Sequence, residues 1–252
     1  MRPSLSAQVI LLWALCLPAR AEQIVDAAYA DPVERYGHFA LGRPHEYGRL
    51  VATTDRERSL GLALPDDQVF EDRVPRLVRL AVGGEPLLLV VISARDRGAR
   101  LALVGLQDAG LAIVAESAAI GRPDRWLNPV GVADLDGDGS GEIAAVTTPH
   151  IGGVLRVYRR AGERLVEIAS LAGFSNHVYG SAEQDLSRPV RIGGETWLLV
   201  PDATRVAMRA LALRPSGLVE MARCRPTALV TGPLAVNECE AKLHQESLPP
   251  VR

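Results

Sequence analysis

The chain has 252 residues, and its 28 basic and 30 acidic side chains give a formal net charge of −2 with both signs scattered along its length. That balance excludes the basic stripe of a nucleic-acid or anionic-membrane binder. After the first residues no apolar run approaches the roughly 20 residues of a membrane span, and the length suits one large β domain or two small ones.

Arg2, the apolar run from Val9 to Leu17 and the small-x-small signal Ala19-Arg20-Ala21 read as a secretory signal peptide over residues 1–21. Cys16 follows Leu15 where lipidation calls for a small residue, so a lipid anchor is not expected. The mature chain is therefore expected in the periplasm or outside the cell. There Cys224 and Cys239 form an even pair, and a disulfide between them is expected to contribute about 3 kcal/mol by restricting the unfolded chain. Two free thiols are the alternative.

Beyond the leader, QIVDAAYA from Gln23 reads as a stray strand. A weak unit follows, with RYGHFALG from Arg35, YGRLVATT from Tyr47 and SLGLALP from Ser59. Three stronger units come next. GGEPLLLVV, GSGEIAAVT and GGETWLLVP place Glu85, Glu142 and Glu195 at intervals of 57 and 53 residues, and GLAIVAE, RLVEIAS and GLVEMAR place Leu111, Leu165 and Leu218 at intervals of 54 and 53. Two landmarks recurring in step define a repeat of about 50 residues, and each copy divides into four short strands separated by turns. The expectation is an all-β fold, a β-propeller of about four four-stranded blades over residues 22–231. The strand from Gln23 and PTALVTGPLA from Pro226 compete to close the ring, and residues 232–252 form a polar tail anchored at Cys239.

One turn stands out. DLDGDGSGE, from Asp134 to Glu142, sets carboxylates at positions one, three, five and nine between two β-prone runs. Asp134, Asp136, Asp138 and Glu142, with the Ser140 carbonyl, offer the oxygen cage a hard cation needs. An EF-hand would require a Glu at position twelve, where Ala145 stands. An Asp- and Gly-rich surface turn is the alternative. One structural calcium is expected. The corresponding turns at Gly83 and Gly193 lack the aspartates.

The DLDGDGSGEIA stretch resembles the FG-GAP, or VCBS, repeat of integrin-type β-propellers. VFEDRVPRL from Val69, RWLNPVGVADLDGDGSGEIA from Arg125, TPHIGGVLRVYR from Thr148 and GFSNHVYG from Gly173 are similar to segments of exported bacterial FG-GAP proteins. The resemblance implies that the acidic loop joins the first two strands of a blade and binds calcium. Integrin-type propellers have seven blades, which implies that a chain with four forms a small ring or a partial domain.

Strand alternation puts the opposite end of the units on another face. Four connections there pair an aromatic residue with a polar one two positions later: Tyr36 with His38, Phe70 with Asp72, Trp126 with Asn128, and Phe174 with Asn176. His150 and His177 join them. Two readings stay open for His38, Asp72, Trp126, Asn128, His150, Asn176 and His177: a ligand site for a protein or carbohydrate, or aromatics wedged between blades with the polar groups satisfying buried backbone. No nucleophile elbow, zinc-protease or nucleotide-binding motif appears. A binding or scaffold module is thus favoured over a propeller hydrolase or lyase built on the same face.

Overall fold

The computed structural model describes residues 21–108 and 110–246, so all but the last residue of the expected leader lies outside the described residues. Among the described residues the chain is all-β apart from one C-terminal helix. β1 (Ile24–Val33) runs antiparallel to β2 (Glu46–Thr54), which turns back into β3 (Ser59–Ala63), and the short β4 (Gln68–Phe70) follows. Three antiparallel meanders of four strands come next. The first holds β5 (Arg76–Val78), β6 (Leu87–Ala94), β7 (Gly98–Gln107) and β8 (Gly110–Ser117). The second holds β9 (Leu127–Ala133), β10 (Glu142–Thr147), β11 (Val154–Ala161) and β12 (Arg164–Ala172). The third holds β13 (Arg188–Ile192), β14 (Glu195–Pro201), β15 (Met208–Arg214) and β16 (Gly217–Cys224).

The repeat in the sequence is therefore a repeat of four-stranded meanders. It extends to a backbone irregularity. The last strand of each meander carries one unpaired extra residue, Val114 in β8, Ile168 in β12 and Met221 in β16, all at the same place in the repeat. Such bulges bend a strand and increase its local twist.

Hydrogen bonding does not divide the chain into four separate blades. β4 pairs with both β2 and β6, and β8 meets β12 in parallel over Arg164↔Glu116 and Leu165↔Ser117, so the first twelve strands share one sheet and β13–β16 form another. The weak N-terminal unit also differs from expectation. Residues from Arg35 to Arg43 form a loop rather than a strand, and the stray strand β1 pairs with its immediate successor β2.

Packing follows a stack. The wholly buried β6 sends Leu88, Val90 and Ile92 into one core with Leu50, Ala52 and Phe70, and Leu87, Leu89 and Val91 into the next with Trp126 and Ile143. β10 divides that second core from a third, to which Ala144, Val146, Phe174 and Leu198 contribute. Leu199 of β14 faces a fourth. Apolar side chains at odd and even positions thus serve two different layers, which explains why these strands read as solid apolar runs.

The fourth core is closed by α1 (Pro233–Glu246), whose Ala235, Val236, Cys239 and Leu243 are buried against β13–β16. This overturns two expectations. PTALVTGPLA is no closing strand, because its residues up to Gly232 are irregular and Pro233, at a position where a missing N–H costs nothing, opens the helix. The tail is not merely peripheral: it covers the face of the last sheet. Cys224 at the end of β16 is bonded to Cys239 of the helix, with 5.6 Å between their Cα atoms. Among the described residues no helix is long and apolar enough to cross a membrane.

Candidate functional site

Two regions at opposite ends of β9–β12 gather the chemistry-bearing side chains. The first is the β9–β10 turn. Its backbone is wound around its own carboxylates: Asp134 accepts from the N–H groups of Gly137 at 2.7 Å and Gly139 at 3.1 Å, Asp136 from Asp138 at 3.2 Å, and Asp138 from Ser140 at 2.7 Å. Gly137 and Gly139 take φ values of 80° and 88°, a region that L side chains resist. One carboxylate oxygen from each of Asp134, Asp136 and Asp138 lies within 4.8 Å of the others, so the cluster is able to hold a metal ion.

Glu142, also predicted as a ligand, is not part of that trio. Glu142 is fully buried; its Oε2 accepts the Leu135 N–H at 2.9 Å, and its Oε1 accepts from Arg159 Nε at 3.0 Å and a terminal nitrogen at 2.7 Å. The same guanidinium reaches Asp136 at 2.5 Å and lies 3.8 Å from Asp138. The hydrogen bonds Arg159 donates to Asp136 and Glu142 raise its pKa above the ordinary value. Ser140 pairs across to Ala81 of the preceding unit. Arg159 had no signal in the sequence beyond the polar end of an alternating strand.

The second region is where the four aromatic–polar connections meet. Phe70, Trp126 and Phe174 each fill a different inter-sheet core. Their polar partners form a buried seam. The Asn128 side-chain amide donates to the carbonyls of Asn176 at 3.1 Å and Gln184 at 3.0 Å; the Asn176 amide donates back to the Asn128 carbonyl at 3.2 Å and to Ser187 Oγ at 2.9 Å. Gln184 also donates to Asp72 at 2.9 Å, and Asp72 pairs with Arg76. Trp126 donates its indole N–H to the Glu71 carbonyl at 2.8 Å. Asp72, Trp126, Asn128 and Asn176 are all buried here and hydrogen-bonded, with Asn176 Oδ1 left without a partner.

Above this seam lies a cleft of about 60 Å³, lined by His38, Asp124, Arg125, Trp126, Thr148, Pro149, His150, Ile151 and Tyr179. His38 Nδ1 contacts Oε1 of the buried Glu71 at 2.6 Å, and its backbone N–H donates to Glu46 at 3.1 Å. Burial alone would lower the His38 pKa, but the hydrogen bond and charge of Glu71 outweigh it and hold the imidazole above its usual value. His150 and His177 behave in the opposite way. Burial, reinforced for His150 by the neighbouring His177 and for His177 by Arg205, lowers each to about 4, despite the Ser181 carbonyl that favours protonation of His177.

The tautomers of that pair follow from its partners. His177 Nε2 faces the Ser181 carbonyl at 3.1 Å, an acceptor only, so Nε2 carries the proton. Its Nδ1 lone pair then accepts from His150 Nε2, 2.9 Å away. Consequently the Nδ1 of His150 is left bare. Trp126 stacks on His150 with 6.0 Å between centroids, and Tyr179 meets it edge-on at 5.2 Å. Tyr179 and Gln184 were not singled out in the sequence; both lie in the polar stretch between β12 and β13, whose length for a simple connection was the available signal.

No protein-family model matches the chain, and no curated protein matches it.

Proposed function

We propose that the chain is an exported β-propeller of the FG-GAP type, fastened by one calcium ion and acting as a binding or scaffold module for a protein or carbohydrate ligand. Three bulged meanders in one sequence period, stacked face to face, support the propeller reading. The acidic turn sits at the corner between first and second strands where that type carries its ion. The paired cysteines accord with an oxidising compartment. Calcium is preferred to magnesium because a loop of flexible carboxylates accommodates its larger, less regular shell.

The observation that carries the binding reading is the convergence of four connections from distant parts of the chain on one cleft with free imidazole edges and aromatic walls. The deep residues hold the connections in place, and His38, His150 and Tyr179 face the cleft. Tyr179 is 59% exposed, which fits a contact surface better than a packing role. Screening immobilised glycans and peptides against the full chain and its Tyr179→Ala variant tests this. The expected result is a specific hit that the variant loses while its melting temperature is unchanged. A screen without hits, or hits that the variant retains in full, would argue against a ligand at this cleft.

A further inference from the structure

The two imidazoles at the cleft differ in hydrogen-bonding polarity, and the difference is built into the groups behind them. His38 has Glu71, an acceptor, on its Nδ1; that nitrogen holds a proton, and its Nε2 is the free edge. When protonated, His38 therefore presents an N–H donor. His150 is fixed by the His177–Ser181 relay with its proton on the inner nitrogen, so its free Nδ1 presents a lone pair. The cleft is thus lined by both a donor and an acceptor, together with the Trp126 ring and the exposed Tyr179 ring.

Resting on the binding reading above, we infer that this cleft takes the edge of a neutral saccharide ring, with His38 donating to one hydroxyl oxygen, His150 accepting from the adjacent hydroxyl, and Tyr179 covering the apolar face of the sugar. Vicinal hydroxyls are donors and acceptors at once, and the C–H face of a pyranose suits an aromatic ring. An extended peptide suits the site less well. Its backbone is usually held along an open strand edge, and the lining residues all lie in connections.

Two of the six described non-glycine residues with positive φ lie here. Asp124 and Thr148, both lining the cleft, take φ values of 51° and 50°. For a β-branched residue such as Thr148 this is a costly conformation, of the kind that persists where a site needs a fixed geometry. Thr148 is held by its N–H to the Trp126 carbonyl at 2.8 Å.

The assignment gives the interaction a pH window. Glu71, Asp124, Glu46 and Tyr36 surround His38, and the three carboxylates favour its protonated form. Burial keeps His150 neutral, reinforced by His177, His38 and Arg205. As pH rises through the His38 pKa the donor disappears, and as pH falls toward about 4 the His150 acceptor disappears. Binding should be strongest between the two.

Imidazole NMR of the full chain tests this directly, with the methyl glycosides of glucose, galactose and mannose as probes and N-acetylalanine methylamide as a peptide control. At least one glycoside should move the His38 and His150 resonances. Its affinity should fall about tenfold from below to above the His38 titration, the loss expected for one charge-assisted hydrogen bond. Tyr179→Ala should weaken it at every pH, and His38→Gln should flatten the alkaline limb. The wild-type pH profile alone decides the matter if His38→Gln fails to fold. The inference fails if no glycoside moves either imidazole, or if affinity is flat across the His38 titration. Should only the peptide control bind, the cleft is a ligand site and the saccharide assignment is wrong.

Discussion

The acidic turn and the seam lie at opposite ends of the same four strands and handle polar groups in opposite ways. At the turn, the carboxylates of Asp136 and Asp138 are exposed, that of Glu142 is buried, and Arg159 balances them on one side. At the seam nearly all the polar groups are buried and matched one for one: Asn128 with Asn176, Gln184 with Asp72, His150 with His177. Uncompensated charge is tolerable where water and a cation have access. In the interior the amides are matched and the buried carboxylates of Asp72 and Glu71 are paired with Arg76 and His38, because an unmatched buried group costs far more than a matched one returns.

The largest effect should come from breaking the seam. Asn128→Ala removes three hydrogen bonds, two donated and one accepted from Gln184, and strands the Asn176 and Gln184 carbonyls, with an expected loss of about 3 kcal/mol in urea unfolding. A loss below about 1 kcal/mol would mean that water or repacking replaces the amide. Calcium removal should come next. With the ion at about 100 times its Kd, chelation should cost about 2.7 kcal/mol, and Asp136→Ala should abolish the difference between calcium and chelator. Identical melting in both buffers would leave the turn without an ion.

The smallest effect sharpens the contrast by pH. His150 and His177 have folded pKa values of about 4, below their ordinary 6.5, so the unfolded chain binds more protons between those limits. Stability contributed by the pair is complete above about 6.5 and is lost as pH falls toward 4. His38 has the opposite sign: its contribution is present below 6.5 and disappears as pH rises through its elevated folded pKa. Urea midpoints across this range should show the acid loss reduced in a His150→Gln, His177→Gln double variant. An unaltered profile would place these imidazoles outside the acid transition.

Much of this arrangement is legible in the sequence because it is local or periodic. The acidic hairpin is set within nine consecutive residues, and the meanders announce themselves through Leu111, Leu165 and Leu218. The same alternation of strand direction identifies which connections share an end. Depth is not legible. Asn128 is buried because Asn176 and Gln184 meet it from some 50 residues away, and no local pattern records that meeting. Helix α1 escapes for a related reason: its buried face is built from Ala235, Val236, Cys239 and Leu243, small or few, within an otherwise polar run. Only the exposed face of the last sheet gives that stretch a reason to be helical.

The extra residue in β8, β12 and β16 has a consequence for how the molecule keeps to itself. β16 ends its sheet, and Val219 and Met221 on it are exposed. A straight apolar edge of that kind would invite a strand from another copy to add on. The bulge at Met221 breaks the even row of N–H and C=O groups at the middle of the strand, so an incoming strand finds no continuous ladder. The same kink that shapes each repeat also blunts the edge where the series of repeats stops.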